Sequence, residues 1–107
     1  MWRAAVATRE LSAGEARRVV LAGRPVAVFH TESGFYAIDD SCTHQDASLA
    51  EGWLEGCLVE CPLHASFFDL RTGAVTSQPA KLPVRTYLVE VVDDVVGVDI
   101  TRPGLAT

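Results

Sequence analysis

The sequence predicts a small all-β fold, an antiparallel sandwich or barrel. Three observations predict it. Short runs rich in β-branched and aromatic residues recur along the chain. Gly, Pro and Asp punctuate them at close intervals, as turns do between strands. Helical signals are weak throughout, so evenly spaced strands are left to make the core.

Val6-Ala7 belongs to a short first strand. Ser12-Ala13-Gly14-Glu15 has the spacing of a capping box, but Gly14 makes a loop as good a reading as one turn of helix. Ala16 to Leu21 forms the second strand and stops at Gly23. Pro25 to His30 forms the third, and Thr31-Glu32-Ser33-Gly34 turns it into Phe35 to Ile38. Gln45 to Ala50 is expected to hold a turn of helix. Leu54 to Glu60 reads as one strand, and Ser66 to Asp69 as a short one before Arg71-Thr72-Gly73. The clearest hairpin closes the chain: Arg85 to Val92, the turn Asp93-Asp94, then Val95 to Ile100.

The chain has 107 residues, the size of one domain, and we expect a single domain over 1–107. Fourteen acidic and nine basic residues leave a net charge of −5, which argues against nucleic acid as a partner. No apolar run reaches the length of a membrane span, so no membrane partner is expected. Charge interrupts Met1 to Glu10 too early for an export signal, so the expected compartment is the cytoplasm. Three cysteines cannot all pair, and thiols in a reducing compartment are better candidates for ligands than for disulfides.

Two segments break the strand rhythm. They are Cys42-Thr43-His44 and Cys61-Pro62-Leu63-His64, separated by sixteen residues. Each offers one thiolate and one imidazole, and each follows a strand. Loops at one end of an antiparallel fold can face each other and hold a metal centre. Zinc takes such donors tetrahedrally, which would make the chain a zinc-stapled interaction module. Structural zinc sites, however, usually pair like ligands within one clamp. A mixed clamp suits a two-iron cluster whose cysteines hold one iron and whose histidines hold the other.

At these residues the chain resembles the Rieske-type [2Fe–2S] ferredoxins of bacterial aromatic ring-hydroxylating dioxygenases. The resemblance also rests on Phe68-Asp69-Leu70-Arg71-Thr72-Gly73 and on the proline loop Gln78-Pro79-Ala80-Lys81-Leu82-Pro83. It implies a Rieske-type antiparallel β sandwich with a small cluster-binding subdomain, about residues 40–83. It implies one [2Fe–2S] cluster per chain, with Cys42 and Cys61 on the buried iron and His44 and His64 on the outer one. Pro62, Leu63 and Pro83 would shield its sulfur side. The implied role is one-electron transfer from a flavoprotein ferredoxin reductase to a terminal oxygenase. Alternatives in the same class are the small subunit of assimilatory nitrite reductase and the ferredoxin of an aromatic monooxygenase. The chain is not expected to be an oxygenase itself. A mononuclear iron site needs two histidines and a carboxylate, and only His30 remains once His44 and His64 are assigned.

Single residues outside the clamps have simpler readings. Cys57 is expected mid-strand as a small structural residue, and His30 at the surface. Trp53 is expected to pack in the core. Asp39-Asp40 and Asp93-Asp94 read as loop and turn residues.

Respiratory Rieske proteins carry a second cysteine in each loop, paired as a disulfide. Here those positions are Ala47 and Leu63, so that staple cannot form. The respiratory branch also directs a serine and a tyrosine hydroxyl at its cluster sulfurs, which raises the potential. This chain keeps Ser66 but has Phe68 at the tyrosine position. The expected midpoint therefore lies toward the low end of the Rieske range of about −150 to +300 mV. Redox titration checks this, and a midpoint well above zero would contradict it.

Overall fold

The computed structural model describes residues 1–42, 47–62, 66–76 and 82–104. Among them are nine strands: β1 Arg3–Ala7, β2 Ala16–Leu21, β3 Arg24–Thr31, β4 Gly34–Asp39, β5 Trp53–Glu55, β6 Leu58–Glu60, β7 Phe67–Asp69, β8 Thr86–Val92 and β9 Val95–Asp99. Two single 3-10 turns, Thr8–Glu10 and Leu49–Glu51, are the helical elements. No helix among the described residues is long and apolar enough to cross a membrane.

The strands form two antiparallel sheets. Six make a sheet in the order β1-β9-β8-β4-β3-β2, and three make a small sheet in the order β5-β6-β7. The large sheet has a narrow seam. β4 meets β8 only through Ala37–Tyr87 and Ile38–Thr86, while β3–β4 pairs from Val26–Asp39 to Thr31–Gly34. β1 comes against β2, so the sheet curls toward closure and its two three-stranded halves enclose one core. That core holds Val6, Leu21, Val26, Val28, Val96 and Val98.

Strand β3 explains why a second core exists. Its central run Pro-Val-Ala-Val-Phe, residues 25–29, is apolar without alternation, the pattern of a strand covered on both faces. Val26 and Val28 point into the barrel core, while Ala27 and Phe29 point outward. On β4, Ala37 and Ile38 divide in the same way. The outward face of Ala27, Phe29 and Ile38 would be an exposed apolar patch. The small sheet covers it, through Val59 of β6 and Phe68 of β7, with Leu49, Leu70 and Val84 from the flanking turns. At roughly 1.5–3 kcal/mol per large buried side chain, this interface anchors the small sheet.

Polar bonds secure the seam. The Tyr87 hydroxyl donates to Asp39 Oδ1, and Arg24 donates to the Tyr87 oxygen at 3.2 Å. Burial first, and then the hydrogen bond to Asp39, push the Tyr87 phenol up to about 12. The hydroxyl therefore stays protonated and holds β3, β4 and β8 together.

The predicted strands are present with shifts of a residue or two at their ends, with one correction. The stretch Leu54 to Glu60 is not a single strand. It folds back on itself as β5 and β6, paired Trp53–Glu60, Leu54–Val59 and Glu55–Leu58. Gly56, at φ +61°, supplies the left-handed turn that divides them. The hairpin turn at Asp93-Asp94 is as expected, with both residues at positive φ. Ser12 to Glu15 is a loop, closed by the Ser12 amide donating to the Glu15 carboxylate at 2.7 Å. The helical turn expected within Gln45 to Ala50 is a 3-10 turn displaced to Leu49–Glu51; Gln45 and Asp46 lie outside the described residues.

Gly73 closes the small sheet against the large one. It sits at φ +79°, and a Cβ there would collide with the Val84 carbonyl oxygen. Its own carbonyl accepts the Val84 amide at 2.9 Å. Gly73→Ala should therefore destabilise the fold by about 2 kcal/mol or more, through strain and collision together. Urea unfolding measures this; a loss below about 0.5 kcal/mol, the range of a neutral surface change, would contradict it.

Candidate metal centre

Both clamps begin at the ends of strands that the cores hold in place. β4 delivers Asp39, Asp40 and Ser41 to Cys42, and β6 delivers Glu60 to Cys61. The two loops share one backbone frame. The Cys42 amide donates to the Ala47 carbonyl at 3.0 Å, five residues on. The Cys61 amide donates to the Ser66 carbonyl at 2.9 Å, again five residues on. The residues just outside each bond pair across the loop: Ser41 with Ser48 in the first, Glu60 with Phe67 in the second. Each frame thus spans four residues between its cysteine and the closing carbonyl, and each contains one predicted histidine.

Cys42 and Cys61 are both buried and belong to one core cluster with Leu49, Val59 and Phe68. All three cysteines are thiols rather than half-cystines. A pair of soft donors in one apolar cluster, at the mouths of matching loops, fits the thiolate half of a two-iron centre. The predicted ligands His44 and His64 lie outside the described residues, as do Leu63 and Lys81. Among the described residues, no three His, Cys, Asp or Glu side chains converge as a metal site. Of the remaining predicted residues, Ser66 is fully buried, Pro62 is half-buried and Pro83 is exposed.

The segment Phe68 to Gly73 builds a tight turn behind the second loop. The Asp69 carboxylate accepts Arg71 through the backbone amide at 2.9 Å and the guanidinium at 3.1 and 3.2 Å. Those bonds, the side-chain one first, hold the Asp69 carboxyl below its usual range. The turn places Leu70 in the core shared with the two cysteines.

Sequence reasoning missed two residues that shape the site. Asp40 reads as a loop residue but is a buried acceptor of three side-chain and backbone donors. Its partners Arg18 and Ser48 lie 22 and 8 residues away, so no local pattern could single it out. Gly52 lies where a Cβ would collide with the Glu60 carbonyl oxygen. It lets the exit of the first loop pass against the backbone that leads into Cys61. Its signal, a glycine after a short turn, was too common to carry meaning.

Three expectations are corrected. Trp53 is 62% exposed rather than packed, because β5 is the edge of the small sheet and its outer face has no cover among the described residues. His30 is half-buried rather than a solvated surface residue. Its Nδ1 donates to the Leu11 carbonyl at 2.7 Å, and its ring stacks on Phe35 at 4.1 Å. Cys57 is half-buried in the β5–β6 turn rather than mid-strand, with its carbonyl accepting the Leu70 amide at 2.8 Å.

Residues 1–88 match the family model described as the Rieske [2Fe–2S] domain. The chain is 47% identical over 85 residues to a 3-phenylpropionate/cinnamic acid dioxygenase ferredoxin subunit from Photorhabdus laumondii, covering 78% of this chain and 80% of that one. It is 36% identical over 100 residues to the ferredoxin component of a naphthalene 1,2-dioxygenase system from Pseudomonas aeruginosa, covering 94% and 96%. Among solved structures it superposes on a chain from the complex of reduced oxygenase and oxidized ferredoxin in carbazole 1,9a-dioxygenase. That match has a TM-score of 0.86 at 37% identity, covering 99% of this chain and 95% of the other.

The backbone of Cys57, not its thiol, makes the structural contact, so Cys57→Ser should leave the visible spectrum and midpoint potential unchanged. Absorption spectroscopy of the purified variant checks this; loss of the cluster would make Cys57 part of the site.

Proposed function

The chain belongs to the Rieske [2Fe–2S] family, and we propose that it carries single electrons from a flavoprotein ferredoxin reductase to the terminal oxygenase of an aromatic ring-hydroxylating dioxygenase system. It is an electron-transfer component with one Rieske-type cluster, not a catalytic enzyme. The observation that carries the ligand reading is the pair of matching loops, each opening on a buried cysteine. Cys42 and Cys61 would hold one iron, and His44 and His64 the other. When bound, the cluster supplies a one-electron couple and no bond-making chemistry.

The chain's own residues do the rest. Val59, Leu49, Phe68 and Leu70 pack with Cys42 and Cys61 in one buried cluster and would keep water from a group held on those thiols. The two closing bonds, Cys42 to Ala47 and Cys61 to Ser66, tie together the ends of the two segments that carry the candidate ligands. The Ser66 hydroxyl would be the donor to a cluster sulfur, and Pro62, Leu63 and Pro83 would be the residues that shield it. The oxygenase as acceptor is supported by the similar ferredoxin chain held in a complex with its oxygenase. Residues 40–83 contain six of the fourteen acids and two of the nine bases, so this part carries −4 of the net −5. That concentration favours basic docking surfaces on both partners and a salt-dependent encounter. The reading extends to a single domain over 1–107 and to the cytoplasm, where thiols stay reduced.

His64→Ala should abolish the Rieske absorption and electron paramagnetic resonance spectra, because an open position remains on one iron. An unchanged spectrum would refute the ligand assignment.

A further inference from the structure

Asp40 is 3% exposed and lies two residues ahead of Cys42. Its two carboxylate oxygens have different partners. Oδ1 accepts the Ser48 hydroxyl at 2.8 Å and the Ala50 amide at 3.0 Å. Both donors follow the first loop, so Oδ1 clasps the loop's exit to its entrance. The backbone repeats the clasp: the Asp40 carbonyl accepts the Leu49 amide at 2.7 Å, and the Asp40 amide donates to the Pro25 carbonyl at 3.2 Å. Oδ2 accepts Nε of Arg18, on β2, at 3.1 Å. Among the described residues Arg18 is the cation paired with Asp40, and its side chain is 51% exposed.

A clasp alone requires only a neutral acceptor, which an amide or hydroxyl would provide. A buried carboxylate beside a redox centre has a second consequence. It opposes the negative charge that arrives on reduction, and a neighbouring cation offsets that opposition. We propose that Asp40 is the positioning residue of the Cys42 loop, and that the Asp40–Arg18 pair sets the potential of the cluster that this loop holds. The inference rests on the reading of Cys42 as an iron ligand.

The two functions separate because they use different oxygens. Arg18→Gln removes the counter-charge and leaves every bond to Oδ1. Asp40→Asn keeps an oxygen for Ser48 and Ala50 and removes the charge, while the half-exposed Arg18 turns to water at little cost.

Anaerobic redox titration of the cluster-loaded proteins tests the proposal. Arg18→Gln should lower the equilibrium constant for reduction about threefold, a fall of about 30 mV at 59 mV per tenfold for one electron. The effect is modest because solvent screens an exposed guanidinium. Asp40→Asn should raise the potential, and the double variant should return toward the parent, with the Rieske spectrum kept in all three. Shifts of the same sign in both single variants, or none in either, would overturn the proposal. If Asp40→Asn fails to hold a cluster, Arg18→Gln decides alone: a fall supports the pair and no shift refutes it. An unaltered protein lacking the Rieske spectrum would overturn both this inference and the reading beneath it, whereas unmoved potentials with the spectrum intact overturn this inference alone.

Discussion

The two-sided burial of β3 and β4 is the constraint on which the rest of the structure depends. A strand with apolar residues on both faces must be covered twice. The curled six-stranded sheet covers one face, where Val26, Val28 and Ala37 meet Val96 and Val98. The other face, Ala27, Phe29 and Ile38, demands a lid, and the small sheet provides it. Because β4 runs directly into the first clamp and β6 into the second, the packing that covers this face also brings the two cysteines into one core. The hydrophobic effect that folds the small sheet thereby brings the two candidate thiolate ligands into one cluster.

Around the two cysteines, precision comes from backbone hydrogen bonds and steric closeness rather than from more apolar area. The two loops are closed by equivalent bonds, Cys42 to Ala47 and Cys61 to Ser66. Gly52 and Gly73 then bring neighbouring backbone to distances that no side chain tolerates. Asp40 ties the first loop to β2, β3 and the following 3-10 turn at once. Buried donors and acceptors satisfied in this way resist rearrangement, because breaking any one leaves a group desolvated and unpaired. A carrier gains from such stiffness, since a centre that moves little on reduction exchanges electrons with little reorganisation.

Much of the fold was legible in the sequence. β2 and the β8–β9 hairpin could be drawn almost residue for residue, because β-branched runs bounded by Gly23 and by Asp93-Asp94 are unambiguous. The β5–β6 hairpin was not legible. Leu54 to Glu60 is apolar enough to read as one strand, and only the positive φ at Gly56 divides it. That error carried Cys57 into a strand interior it does not occupy. Trp53 and His30 were misread for a related reason. Whether a tryptophan is covered depends on the position of its strand in the sheet, and β5 is an edge. Whether a histidine is bonded depends on a residue such as Leu11, 19 positions away.

The sequence by itself determined the donor types that the candidate site offers. The order Cys-x-His, sixteen residues, Cys-x-x-His sets which candidate donors the chain offers and how they are grouped, because side-chain identity is a covalent property of the chain. It also determined the all-β class, since strand period and turn residues are local. Tertiary structure alone decided which residues support those donors. Asp40 became a clasp, Arg18 its counter-charge and Gly52 a close contact through partners drawn from other strands. Hydrogen bonds and burial act over a few ångströms of space, and sequence separation does not measure that distance.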